Sequence, residues 1–179
     1  MEGSGRPDGM SELEWLVALE EIRQLKARRD RYADAHDWAA YEALHAPDHI
    51  SHNEGYEPWT SSKEMIDNVS RIMDDMITVH HSYDAEIVFD SPTVARGIWA
   101  MTGATVSAPD SPPEWSINFG YYYETYEKRD DRWLFTSRRW HKYFGTGSDG
   151  IHSPAEMPKG ANAFDPDVFP GRPSTSIPS

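Results

Sequence analysis

The sequence predicts an α+β domain in which N-terminal helices cover one face of a curved antiparallel sheet. Hydrophobic residues recur at helical spacing in residues 11–76, whereas residues 77–144 are rich in strand-forming side chains. The short turn sequences DSP and RDD separate consecutive strands. Helices that precede a run of strands joined by short turns are typical of this fold class.

The first helix is predicted to begin at Ser11, because a serine followed three residues later by Glu14 can form a capping box. Its apolar side chains form one stripe, and the charged side chains occupy the opposite face. The stripe consists of Leu19, Ile22, Leu25, Tyr32 and Ala33.

Two further helices are predicted before the strands. Asp37 is the expected N-cap of a short helix, DWAAYEALHA, which Pro47 should end because proline disfavours a helical residue before it. Residues 48–59 are expected to form a short irregular strand or a loop. The third helix, SSKEMIDNVSRIMDDM, should be capped by Ser61 or Ser62. It is expected to bury Met65, Ile66, Val69, Ile72 and Met73.

Four long strands are predicted after the helices, because β-branched and aromatic residues dominate these segments. They comprise residues 77–89, 93–108, 114–128 and 132–144. The folded domain is predicted to span residues 11–145. A disordered segment, residues 1–10, should precede it, and a proline- and glycine-rich extension, residues 146–179, should follow it.

The composition excludes several classes of partner and chemistry. A net charge of −13 disfavours binding to nucleic acid or to anionic membranes, since both need basic residues. Without cysteine the chain has no disulfide, thiolate metal site or cysteine nucleophile. The first residues, MEGSGRPDGM, lack the apolar region of a signal peptide, and no segment is apolar enough to span a membrane. A cytoplasmic location is expected.

Neither a cofactor nor a metal ion is expected. The sequence contains no glycine-rich phosphate loop, no GxSxG elbow and no HExxH motif. His45, His49 and His52 could suggest a metal site, but Pro47 interrupts the helical spacing between them.

Two adjacent histidines, His80 and His81, are candidates for a catalytic base. Neighbouring residues of a strand point to opposite faces, so only one of them can face the concave side of the sheet. Thr78 and Ser82 share a face with His80, and alternation alone does not choose between the faces. Asp34 lies in the last turn of the first helix, where the helix dipole disfavours an acid unless a donor such as histidine holds it.

Three strings, EIRQLKARRDRYADAHDWAAYEALHAPD, TVHHS and YEKRDDRWLFTSRRWHKYF, resemble the SnoaL-like branch of the nuclear transport factor 2-like superfamily. Within that branch, residues 12–145 are most similar to the scytalone dehydratase and hexachlorocyclohexane dehydrochlorinase group. The resemblance implies a cone-shaped α+β barrel in which helices wrap a bent antiparallel sheet around a deep pocket. It also implies a homodimer or a homotrimer.

The resemblance implies that Asp34 and His80 form the working pair. In the family, an aspartate stands three residues before the acid that caps the next helix, and the histidine follows a β-branched pair on the first long strand. Arg138 best matches an arginine of the final strand, with Arg139 as the alternative. The implied function is a cofactor-independent lyase, such as a dehydratase, or an isomerase, in which Asp34 orients His80 as a general base.

The expected partner is a small hydrophobic cyclic molecule, bound in a pocket with an apolar lining and a few polar groups. Its candidate binding residues are Trp99, Met101, Phe119, Tyr121 and Tyr123. Arg138, or one of the two tyrosines, could stabilise negative charge on a substrate oxygen. Two alternatives stay open. One is a non-catalytic ligand-binding or accessory subunit. The other is a ketosteroid-type isomerase, an epoxide hydrolase or a polyketide cyclase with Asp34 itself as the base.

Overall fold

The computed structural model describes residues 6–53, 56–108 and 114–152. Three helices and six strands occupy these ranges. The helices are α1 (Glu12–Asp34), α2 (Trp38–Glu42) and α3 (Ser62–Met73). The strands are β1 (His45–His52), β2 (Met76–Ser91), β3 (Val94–Ser107), β4 (Trp115–Arg129), β5 (Arg132–Gly147) and β6 (Gly150–His152). No helix in the described ranges is long and apolar enough to cross a membrane.

The predicted helix starts are confirmed at α1 and α3. The Ser11 side chain accepts a hydrogen bond from the Glu14 backbone N–H, and the Glu14 carboxylate accepts one from the Ser11 backbone N–H at 2.8 Å. Ser61 caps α3 through the backbone N–H of Glu64 at 3.1 Å. Local side-chain hydrogen bonds of this kind depend on close neighbours in the chain, which explains why the sequence predicts them well.

The predicted second helix is too long. It ends at Glu42, and from His45 the chain is extended as β1 despite Pro47. The reason is tertiary: β1 pairs in parallel with β5, and the backbone N–H of Phe135 donates to the Leu44 carbonyl at 3.0 Å. Pairing with a distant strand therefore overrides the local helical pattern.

The sheet confirms the predicted fold class. Its strand order is β1-β5-β4-β3-β2, with β6 added to β5, and every pair except the parallel β1–β5 pair is antiparallel. The sheet is curved and unclosed, with the helices on its concave side. The RDD turn joins β4 to β5 with positive φ at Asp130 and Asp131, 48° and 58°, which is the geometry of a tight hairpin turn.

The core lies between α1 and the concave face of the sheet. Ile22 and Leu25 of α1 pack against Trp99 of β3 and Tyr126 of β4, and all four are almost fully buried. A second apolar cluster joins α1 and α2 to α3, with Ala33, Tyr41, Trp59, Met65 and Val69 as its buried members. Four members of this second cluster, Ala33, Tyr41, Trp59 and Val69, also line the cavity described below.

The termini extend beyond the predicted domain limits. Met10, inside the segment predicted to be disordered, is buried in the core, while residues 1–5 of that segment lie outside the described residues. Strand β5 runs two residues beyond the predicted boundary at residue 145, and β6 follows it. Of the predicted extension, residues 153–179 lie outside the described residues.

Gly120→Ala is expected to destabilise the fold severely. A Cβ atom at Gly120 would lie 2.1 Å from the backbone oxygen of His141 on the neighbouring strand, so the sheet itself would have to shift. We expect a loss of about 3 kcal/mol in the free energy of unfolding, measured by urea denaturation. At Gly103 the nearest atom to an added Cβ is the movable end of Met101, at 2.8 Å. Gly103→Ala is thus the control, and an equal loss in both variants would contradict the assignment.

Candidate active site

The carboxylate of Asp34 joins the end of α1 to β2. Its Oδ1 accepts hydrogen bonds from the Thr78 hydroxyl at 3.0 Å and from Nδ1 of His80 at 2.6 Å. Its Oδ2 accepts the backbone N–H of His80 at 2.9 Å. Three donors therefore hold an acid that the helix dipole disfavours.

The ring of His80 uses one nitrogen for Asp34 and leaves the other without a described partner. Because Nδ1 donates its proton to the carboxylate, Nε2 carries the lone pair in the neutral ring. The His80 side chain is 17% exposed and lines a cavity, whereas His81 is exposed on the opposite face of the strand. The structure therefore shows that His80, and not His81, faces the cavity, which strand alternation alone did not decide.

The cavity has a volume of about 660 Å³. It lies between α1, α3 and the concave face of the sheet, and Asp34 stands behind His80 rather than among the lining residues that are described. The apolar part of the wall consists of Ala33, Trp59, Val69, Ile72, Met73, Met101 and Trp140. The polar part includes Arg29, Tyr41, Asn53, His80, Asn118, Tyr122, Arg138 and Lys142.

Arg138 of β5 is held rigidly in this wall. It is 6% exposed, its NH2 group donates to Oδ1 of Asn53 at 2.7 Å, and its guanidinium lies 4.9 Å from the centre of the Tyr122 ring. Arg139, the alternative, pairs in register with Tyr123, which faces away from the cavity. Of the two arginines, Arg138 is the one that the fold directs to the cavity.

A buried ionic network lies at the polar floor of the cavity, and its member Arg29 lines the cavity itself. Nζ of Lys26 lies 2.7 Å from Oε1 of Glu124 and 3.6 Å from Oδ1 of Asp30. The NH1 group of Arg29 lies 3.3 Å from the same oxygen of Asp30. Burial opposes ionisation of Asp30, but Lys26 and Arg29 outweigh it and hold the pKa of that carboxyl below its usual value. Arg29 also donates to the hydroxyl of Tyr41. Buried charges persist only when paired in this way.

Tyr122 occupies the centre of the polar floor. Burial raises the pKa of its phenol to about 12, against the opposing pull of Arg138 and Arg29. Lys26 lies 4.0 Å from the centre of its ring, Arg138 4.9 Å and Arg29 5.5 Å, so three cations lie over the aromatic faces. A neutral phenol that lines the cavity can donate a hydrogen bond to a bound molecule.

Of the five predicted lining residues, the described wall contains only Met101. Trp99 shares the concave face with it but lies deeper, under α1, where its Nε1 donates to the Tyr126 hydroxyl at 2.8 Å. Phe119, Tyr121 and Tyr123 alternate with Tyr122 along β4 and therefore point to the convex face. Two of these rings pack there, Phe119 on Phe144 and Tyr121 against Tyr143. Those four predictions are corrected.

Several residues of the cavity wall and of the ionic network next to it were not predicted, although their positions carried a signal. Lys26 and Arg29 fall on the apolar stripe of α1, four residues after Ile22 and Leu25, where a solvated charge would not be expected. A charge at a core position indicates a buried ionic partner or a site. For Tyr122, the signal was that it shares one face of the strand with Glu124 and Tyr126.

Two of the three histidines around Pro47 are bonded to the backbone. His45 and His49 are buried, and each Nδ1 donates to a backbone carbonyl, that of Tyr41 at 2.8 Å and that of Phe135 at 3.2 Å. The described residues contain no group of three histidine, aspartate or glutamate side chains that could hold a metal ion. Burial lowers the pKa of His45 well below its usual value and, with Arg138 nearby, lowers that of His49 to about 3.

Comparison with known proteins confirms the predicted fold and branch. Residues 15–139 match the family described as SnoaL-like domain. The chain is 25% identical over 134 residues to "Probable cyclase FGR4" of Gibberella zeae, covering 69% of this chain and 89% of that protein. It superposes on the "Putative Scytalone Dehydratase" of Novosphingobium aromaticivorans with a TM-score of 0.72 at 21% identity, over 84% and 98% of the two chains. For hexachlorocyclohexane dehydrochlorinase LinA-type3 of Novosphingobium barchaimii the TM-score is 0.70 at 19% identity, over 83% and 99%.

The buried His49 is expected to make the protein unstable in acid. The unfolded chain binds a proton at this residue below pH 6.5, whereas the folded protein does so only near pH 3. Because the unfolded state then holds more protons, stability falls as the pH drops through this window, by up to about 1.4 kcal/mol per pH unit. His49→Asn should flatten the slope of unfolding free energy between pH 6.5 and 4.5.

The packing cost of that substitution is measured separately at pH 7.5, where position 49 is uncharged in both states of both proteins. A variant that differs from the wild type by a constant amount at every pH would contradict the assignment. Urea denaturation across the pH series supplies both quantities.

Proposed function

The chain belongs to the SnoaL-like domain family, and from that premise we propose that it is a cofactor-independent lyase or isomerase with His80 as its general base. One observation carries the proposal: Nδ1 of His80 lies 2.6 Å from the Asp34 carboxylate while the same ring lines a cavity. An imidazole oriented in this way has one nitrogen free to accept a proton from a bound molecule.

The proposed reaction begins when Nε2 of His80 removes a proton from an acidified ring carbon. The electron pair of the broken C–H bond forms a carbon–carbon double bond, and the leaving group departs with the electrons of its own bond to carbon. A leaving hydroxyl takes the proton from the imidazolium and departs as water, whereas a halide departs as the anion. In an isomerisation, the imidazolium returns the proton to a different carbon.

Asp34 acts through the histidine in this mechanism. Its carboxylate holds the Nδ1–H tautomer and stabilises the imidazolium by a charge-assisted hydrogen bond. Three donors already occupy the carboxylate, and it stands behind His80 instead of facing the cavity. These contacts favour His80 over Asp34 as the base that meets the substrate.

Arg138 and Tyr122 supply donors for negative charge that develops on a substrate oxygen. Both line the same cavity as His80, and their mutual contact at 4.9 Å fixes them before a substrate binds. Donors preorganised in a site of low dielectric stabilise a developing oxyanion strongly, typically by about 3 kcal/mol each. Stabilisation of negative charge on the substrate is thus proposed for Tyr122 instead of Tyr121 or Tyr123.

The substrate is proposed to be a small cyclic molecule with a largely apolar ring system. A cavity of about 660 Å³ is within the usual range for small-molecule sites. The side chains of Val69, Met73, Met101 and Trp140 supply apolar surface on facing sides. A flat ring between them would place one edge toward the polar floor.

A second candidate is ring closure in place of elimination. It is favoured by the 25% identity with "Probable cyclase FGR4". The same base would remove a proton from carbon, and the resulting carbanion would attack a carbonyl carbon of the same molecule, with the oxygen taking up the proton. Mass spectrometry separates the two, because cyclisation of this kind conserves mass, whereas elimination releases water or a hydrogen halide.

Turnover is expected to depend on both members of the pair. Hydroxylated, halogenated and open-chain polyketide-like compounds are screened for conversion, and the best compound is then used with His80→Gln and Asp34→Asn. We expect each substitution to lower kcat by about a hundredfold or more. His81→Gln is the matched control, because the neighbouring ring lies on the opposite face, and its kcat should stay near the wild-type value.

Three results would contradict the proposal. Full activity in His80→Gln with loss in Asp34→Asn would make Asp34 the base. Unchanged kcat in both variants would remove the pair from the mechanism. Tight binding of compounds from the screen without any conversion would favour a ligand-binding protein.

A further inference from the structure

We propose that the substrate carries a carboxylate, which pairs with Arg138, so that the site acts on a cyclic acid. This inference rests on the proposed function in calling the bound molecule a substrate, but binding of the acid does not require catalysis. The carboxylate would be the polar end of a molecule whose ring contacts the apolar part of the cavity wall.

Arg138 is a buried cation that has no acidic partner among residues 6–53, 56–108 and 114–152. It is 6% exposed, and it contacts the amide oxygen of Asn53 and the ring of Tyr122, both uncharged. Its Nε is fully enclosed and has no hydrogen-bond partner in the part of the chain that the structure describes. A buried guanidinium costs several kcal/mol of desolvation unless a charge compensates it, and neutral contacts compensate only in part.

The two described acids of the ionic network already have other partners. Glu124 stands directly across from it on β4, but its Oε1 accepts from Lys26 at 2.7 Å and its Oε2 from the Tyr126 hydroxyl at 2.6 Å. Asp30 is shared between Lys26 and Arg29, at 3.6 and 3.3 Å. Each carboxylate of the floor network thus has its own cation, and among the described residues Arg138 forms no salt bridge.

The guanidinium is also preorganised for an anion. Asn53 and the Tyr122 ring fix it in one orientation in the cavity wall, so little side-chain entropy is lost when a ligand pairs with it. Arginine pairs with carboxylates through two parallel N–H···O bonds, which suits a planar acid group at the end of a ring. Trp140 and Met101, in the same wall, would contact the ring.

The inference is tested with a matched pair of probes, naphthalene-2-carboxylate and naphthalene-2-carboxamide, which differ in charge and little in shape. Isothermal titration calorimetry on the full chain is expected to show that the wild type binds the acid at least about tenfold more tightly than the amide, as one charge-assisted pair predicts. Equal affinities would overturn the inference.

Three variants locate the preference. Arg138→Gln is expected to bring the ratio of the two affinities close to one. Asn53→Asp keeps the arginine but offers it a carboxylate, and should reduce the ratio in the same way, which covers the case in which Arg138→Gln does not fold. Arg139→Gln, on the opposite face of β5, should keep the wild-type ratio.

Two outcomes would place the preference elsewhere and overturn the inference. One is loss of the ratio in Lys142→Gln, which alters the other cation of β5 that lines the cavity, with Arg138→Gln unchanged. The other is equal stabilisation by inorganic phosphate at the same concentration, judged from the unfolding temperature, which would indicate a general anion site without selection for a cyclic acid.

The His80→Gln variant separates this inference from the proposed catalysis. It should keep the preference for the acid, because His80 is not the group that pairs with the carboxylate. An acid preference without turnover would leave the inference standing and the general-base proposal wrong. If neutral compounds are turned over and the two probes bind equally, the general-base proposal stands and the carboxylate inference is wrong.

Discussion

The hydrogen bonds of the Asp34 carboxylate are the constraint on which the site depends. Asp34, the last residue of α1, accepts hydrogen bonds from Thr78 and from both the backbone and the ring of His80. One side chain therefore joins the helix to the strand and orients the imidazole. The helix dipole opposes an acid at this end by a few tenths of a kcal/mol, which the charge-assisted bonds outweigh. Because the same carboxylate binds the backbone and the ring of His80, the ring is fixed relative to its own strand. The orientation needed for general-base chemistry is thus a by-product of how α1 packs on β2.

The ionic network beneath the cavity has a different significance. Buried ion pairs contribute little net stability, but removal of one partner leaves an uncompensated charge that costs about 3–5 kcal/mol. Lys26, Asp30, Arg29 and Glu124 therefore have to be kept together, and their positions on α1 and β4 specify how the helix sits on the sheet. The network also keeps the floor polar, whereas much of the cavity wall above it is apolar. A molecule that binds there meets cations and a neutral phenol at one end and aromatic and aliphatic surface at the other.

Most of the fold could be predicted because its signals are local. The caps of α1 and α3 and the tight turn at Asp130 depend on neighbouring residues, and the structure has them where the sequence predicts them. The second helix was predicted too long, because residues His45 to His52 pair with β5, whose residues follow more than eighty positions later. Local propensity carries no information about such a partner. The error in the lining residues has a similar origin, since alternation separates Tyr122 from Tyr121 and Tyr123 but does not say which set faces the helices.

The sequence by itself determined the fold class, the main strands, the family resemblance and the residue types that candidate chemistry requires. These follow from periodicity, capping and short motifs, which are properties of neighbouring residues. Tertiary structure decided that His80 and not His81 meets Asp34, and that Trp99 lies beneath the cavity instead of in its wall. It also decided that Arg138 lines the cavity with no acidic partner in the part of the chain that the structure describes. The physical reason is that each of these outcomes depends on which strand face is concave and how deeply a residue lies under α1. Both are set only when the helix packs onto the completed sheet.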